Sequence, residues 1–167
     1  MIVVADTGPI IALAKLDRVD LLGVFGADIL VPPRVRRELL SKPGTETQEI
    51  ERVLEQWIQV REVPSLDART EEAVDGLDPG ERDAVGLAAT LDEDTLLVMD
   101  DQVGRRAARH VNCSVTGVIG VLLRAKEVGR IEAVMPLLET MRSHGYWLSD
   151  DIIEHARELA GEEDDVE

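Results

Sequence analysis

Ile2-Val3-Val4-Ala5-Asp6-Thr7-Gly8-Pro9-Ile10-Ile11 opens the chain with four apolar residues, an acid, and a glycine-proline step into a second apolar run. A short, β-branched run of this kind predicts a buried strand, and the proline behind the acid suits the first turn of a helix. The pattern returns at Leu96-Leu97-Val98-Met99-Asp100-Asp101, again an apolar run that ends in acid. Strands whose carboxyl ends carry acids are the units of an open parallel sheet, which binds its ligands beyond those ends.

Working outward, apolar runs at 2–5, 29–31, 57–63, 96–99 and 114–116 predict five strands bounded by Pro, Gly or Asp. Helical spacing fills the intervals at 9–15, 19–25, 33–40, 46–56, 79–91 and 118–128. Strands alternating with helices imply an α/β fold, a three-layer α/β/α domain around a mainly parallel five-stranded sheet. Two more helices are expected at 130–143 and 149–159, the second capped by Ser149, packed on the domain's edge or against a partner. The expected organisation is one domain over 1–160 and an acidic, disordered tail over 161–167, with residues 42–45 and 75–80 as internal loops.

Composition narrows the class. A chain of 167 residues can bury a core large enough to fold alone, and a 44% hydrophobic share argues against a disordered acidic tail writ large. Cys113 is the only cysteine, so no intrachain disulfide forms, and a reducing, cytoplasmic home is expected. The acidic opening lacks a basic leader, and no apolar run approaches the ~18 residues of a membrane span, so a membrane role is not expected. The 34 acids against 18 Lys and Arg give a net charge of −16, which argues against a polyanionic partner. The positive charge is nevertheless grouped, as Arg34, Arg36 and Arg37 and as Arg105, Arg106 and Arg109.

Acids at two strand ends can be helix caps, but like charges gathered on one sheet edge are costly unless a cation sits among them. Helices supply more. Glu38 lies about 7–8 Å along the helix that follows the second strand. Glu81 and Asp83 follow Asp78-Pro79-Gly80 and point about 200° apart, so both cannot face one site. Glu81 shares the face of Ala84, Val85 and Ala88 and is preferred, although it can also complete a capping box with Asp78. Such a carboxylate set suits Mg²⁺ or Mn²⁺. His110, His144, His155 and Cys113 have no zinc-like spacing, and phosphate-cradling loops and nucleophile elbows are absent from the sequence.

With these residues in place, the chain resembles the PIN-domain family. The motifs that carry the likeness are Asp6-Thr7-Gly8-Pro9-Ile10-Ile11, Pro32 through Glu38-Leu39, Gly80-Glu81-Arg82-Asp83-Ala84, Asp100-Asp101 with Gly104-Arg105 and Ala108, and Thr116-Gly117-Val118-Ile119-Gly120-Val121-Leu122. They occur in that order over roughly residues 2–150. The resemblance implies a Mg²⁺- or Mn²⁺-dependent ribonuclease, often the toxin of a type II toxin–antitoxin pair. It places Asp6, Glu38, Glu81 and the Asp100-Asp101 pair as catalytic and metal-holding acids, with Asp83 the alternative to Glu81. Thr7 and Thr116 are further candidates, and Arg105, Arg34 and Arg37 are expected to meet RNA phosphates. Val98 and Met99 stand where many members place Thr or Ser before the fourth acid. A small antitoxin and a homodimer are the expected partners beside RNA, and the apolar faces of the C-terminal helices, with Trp147, are possible surfaces. The alternative is a PIN module that binds nucleic acid or a partner without turnover.

Overall fold

The structure, a computed structural model, describes residues 1–41, 44 and 46–163. Lys42, Pro43 and Thr45 of the expected 42–45 loop and residues 164–167 of the expected tail lie outside it. Five strands, β1 (Ile2–Ala5), β2 (Asp28–Val31), β3 (Ile58–Val60), β4 (Thr95–Val98) and β5 (Ser114–Thr116), form one parallel sheet in the order β3-β2-β1-β4-β5. The chain therefore moves outward from β1 to β3, crosses back, and continues through β4 to β5. The reversal falls between β1 and β4, where an open α/β sheet leaves its crevice.

Both sheet faces are covered, which is why the strands are apolar on both sides instead of alternating. Val3 and Ala5 point to one core, with α1 (Thr7–Lys15), a 3-10 helix (Val19–Phe25), α2 (Pro33–Ser41) and α3 (Thr47–Gln56). The same layer holds α7 (Val118–Glu127), α8 (Met135–Ser143) and α9 (Asp150–Ala160). Ile2 and Val4 point to the other, with α4 (Ala68–Val74), α5 (Pro79–Thr90) and α6 (Gln102–His110). That is the three-layer α/β/α architecture expected from the alternation of strands and helices.

The differences are local. α4 and α6 are helices that periodicity alone left unassigned. β3 ends at Val60 instead of Val63, because it is the sheet's edge and only Ile58 of its three residues is buried. The helix expected from residue 130 begins at Met135. Its start is fixed by Glu162, whose carboxylate accepts the Val134 and Met135 amides at 2.6 and 2.8 Å and the Lys126 ammonium at 3.0 Å. Glu162, which falls in the expected acidic tail, makes these contacts because two amides at the start of α8 need an acceptor. Among the described residues no helix is long and apolar enough to cross a membrane.

Candidate functional site

Backbone register sets the first acids side by side. Ala5 of β1 pairs with Val98 of β4, and the Asp6 amide continues the ladder to the Val98 carbonyl at 3.0 Å. Asp6 and Asp100 therefore leave neighbouring strands at the carboxyl edge, on either side of the crevice. Asp6 occupies the N-cap position of α1 yet makes no capping bond, and it is only 7% exposed. Helix capping does not account for it.

Around that edge lies a cavity of about 240 Å³ whose lining includes six carboxylates, Asp6, Glu38, Asp78, Glu81, Asp100 and Asp101. Glu38 arrives from α2 and accepts a hydrogen bond from the Thr7 hydroxyl at 2.7 Å. Gly80, in the first turn of α5, makes room for it: a Cβ there would fall 2.5 Å from both Glu38 carboxylate oxygens. Glu81 follows Gly80 into the cavity and also draws on the Asp78 amide, as a capping box would. Asp83 does not line the cavity and is paired with Arg34 at 3.5 Å.

Asp100 and Asp101, adjacent in sequence, have separate tasks. Asp101 caps α6, accepting from the Gly104 amide at 2.8 Å, while remaining exposed on the cavity rim. Asp100 accepts from the Val118 amide at 2.9 Å through one oxygen and from the Tyr146 hydroxyl through the other. Gly117 permits the first contact, since a Cβ there would collide with Asp100 and with the Arg105 guanidinium. Tyr146 reaches Asp100 because Gly145, at φ +88°, reverses the chain after α8. Its left-handed turn lets the Tyr146 amide bond the Met141 carbonyl and the Gly145 amide bond that of Arg142, the hydrogen bonds of a Schellman motif.

Crowding shows in the acidities. Burial, then the charges of Glu38, Asp100 and Asp101, push the Asp6 carboxyl up to about 6 despite the Thr7 amide. Burial and the charges of Asp101, Asp6 and Asp78 push Glu81 up to about 7. Asp100 is raised by burial, which outweighs the opposing pull of Tyr146, the Val118 amide and Arg105. A PIN-domain family model matches residues 2–162. The chain belongs to the PIN-domain family. PIN domains are generally nucleases and generally use divalent metal ions. No curated protein and no solved structure matches the chain.

The donor set of this PIN domain suits a hard cation. Among the described residues every charged residue lining the cavity is a carboxylate, with neither His nor Cys among them. Asp6 is buried among like charges with no cationic neighbour among the described residues of the cavity, which is the environment a cation would relieve. Among the described residues no three or more His, Cys, Asp or Glu stand in an arrangement that could hold a metal ion. Mg²⁺ or Mn²⁺ keeps several waters and is held through one or two carboxylates, a smaller demand than a full protein cage.

Not every expected residue joins this cavity. Thr7 does; Thr116 lies in the neighbouring groove, its hydroxyl filling the space a Cβ on Gly120 would take. Of the three arginines expected at phosphates, only Arg105 stands beside the acids, close enough to favour the Asp100 charge. Arg34 is engaged with Asp83, and Arg37 is exposed on α2 without lining the cavity. Sequence reasoning missed Tyr146, whose contact with Asp100 spans 46 positions and leaves no local signal. It also took Asp78 for a cap. Asp78 holds the N-cap position without a side-chain capping bond and lines the acid cavity.

Proposed function

We propose that this PIN domain is a metal-dependent endoribonuclease acting at the acid cavity. The observation that carries the reading is Asp6: a carboxylate 7% exposed, free of any capping bond, and surrounded by Glu38, Asp100 and Asp101. Asp6, Glu38, Glu81 and Asp101 are the residues that would hold Mg²⁺ or Mn²⁺. When bound there, the cation supplies an activated water and neutralises charge on a phosphodiester. Asp100, filled by two protein donors, orients the edge and holds Arg105 near the phosphate path. Thr7 keeps the Glu38 carboxylate turned toward the cavity, and Arg105 offsets charge on the substrate. The toxin role in a toxin–antitoxin pair rests on the resemblance, and the identity of the adjacent gene tests it.

Cleavage of a single-stranded RNA oligonucleotide in Mg²⁺ or Mn²⁺, with EDTA as control, is the test. Asp6→Asn keeps the side chain's shape and is expected to lower the rate by a factor of about 100 or more, the scale of losing one electrostatic stabiliser. Equal cleavage by both proteins would overturn the assignment. RNA binding without cleavage by either would favour a module without turnover.

A further inference from the structure

A second cavity, a groove of about 500 Å³, adjoins the acid cavity, and Asp100 lines both. Its size is in the range of small-molecule sites, roughly 300–1,000 Å³. It runs between the start of α7 and the loop and helix that follow α8. Trp147 lines it at 80% exposure, with Ile152 at 37% and Leu159 at 59% on the same wall. Tyr146, the residue before it, donates to Asp100, so the backbone that carries the indole is tethered to the acids.

Charge distinguishes this groove from the acid cavity beside it. In a chain with 34 acids, Asp100 is the one acid lining it among the described residues, and its two oxygens already accept hydrogen bonds. Arg105 lines it too, and its Nε is buried without a hydrogen-bond partner. A polyanion meets less repulsion here than at the acid cavity. Arg105 is half-buried and places its positive charge at the end of the groove next to Asp100, which suits a phosphate better than an apolar protein surface.

We propose that the groove is a nucleobase subsite, in which single-stranded RNA with its scissile phosphate at the acids lays an unpaired base against Trp147. This rests on the nuclease reading above and adds to it a contact for one unpaired base, at Trp147. Every base has a π face, so an indole there selects for unpaired nucleotides with little regard to sequence, and a duplex keeps its bases out of reach. A phosphate beside that base falls to Arg105.

Trp57→Phe leaves Trp147 as the only tryptophan, since the chain has two. Its emission, followed in EDTA on titration with single-stranded RNA, with the same oligonucleotide carrying one abasic position, and with duplex RNA, reads the subsite without requiring cleavage. Single strands are expected to quench Trp147 saturably, and duplex is not. Trp147→Ala weakens single-strand affinity about tenfold, Trp147→Phe restores most of it, and the abasic strand no longer distinguishes Ala from Trp. In cleavage, Trp147→Ala raises KM with kcat nearly unchanged. Emission unquenched both in EDTA and on rapid mixing in Mg²⁺, or equal affinity of Trp147→Ala and the parent, overturns the subsite while leaving the acids' role intact. Emission that follows protein concentration alone, with a dimer in sedimentation, assigns the groove to a second copy and also overturns it. Quenching without any cleavage sustains the subsite and sinks the nuclease reading.

Discussion

At Asp6 the folded protein holds a carboxyl whose affinity for protons is about 6 instead of 3.8. The folded state therefore binds more protons than the unfolded one between those values. This contribution is full below about pH 4 and is lost as pH rises through 6, by up to about 3 kcal/mol for a shift near two units. Asp6→Asn removes the group. In EDTA its urea stability relative to the parent should grow across that window, with the variant the more stable at pH 7.5, and excess Mg²⁺ should close the gap. A difference that ignores both pH and Mg²⁺ would contradict the account. Gly80 makes a complementary case, because a methyl group there meets only the mobile end of Glu38. Gly80→Ala is expected to change stability by less than about 1 kcal/mol while displacing the Glu38 carboxylate and weakening metal affinity about tenfold. Calorimetric metal titration beside a denaturation curve separates the two effects. Asp6, Glu81, Asp100 and Asp101 were visible in the sequence because each follows a strand or opens a helix, and Glu38 because it lies within two turns of the start of α2. Tyr146 was not, since its role exists only after α8 folds back on the sheet.

Among the elements, those with large apolar residues were legible and those with small ones were not. β1 and β4 announce themselves as apolar runs that end in acid. The buried face of α6 is Gly104, Ala107 and Ala108, while its one large apolar residue, Val103, is 56% exposed. Its close approach comes from the absence of a side chain: a Cβ on Gly104 would strike the Met99 sulfur. α4 buries only Thr70 and Val74 of seven residues, too few for a period to show. The glycines of the later motifs now have causes, Gly117 leaving space for Asp100 and Gly120 for Thr116. The C-terminal pair is joined by Glu162 more than by sequence pattern. Burial raises its carboxyl, but the Val134 and Met135 amides and Lys126 outweigh that and hold it below its ordinary 4.5. Such a group stabilises the fold above its ordinary value, and the benefit fades as pH falls through the lowered one. Glu162→Ala should therefore cost about 1–2 kcal/mol at pH 7, with the difference from the parent shrinking in acid. A urea series from pH 7 to 3 measures both.

For the molecule as a whole, the net charge of −16 is distributed with consequence. Six carboxylates line one 240 Å³ cavity at the sheet's reversal point, and one arginine lines the groove beside it. The repulsion that argued against a nucleic-acid partner is concentrated where a divalent cation would convert it into attraction. Fold and family were legible because order along the chain fixed them: five motifs fall at strand ends and helix starts that one topology brings to one edge. The −16 itself could not be apportioned from composition: helical phase already preferred Glu81 to Asp83, but only the folded chain shows that Asp83 pairs with Arg34 while Glu81 lines the cavity. The proposed cation site at these acids is the feature on which the rest depends. Titration with Mn²⁺ at pH 7.5, with free Mn²⁺ followed by electron paramagnetic resonance, tests it most directly. The parent should take up Mn²⁺ saturably and Asp6→Asn should bind at least about tenfold more weakly; identical isotherms for the two proteins would contradict it.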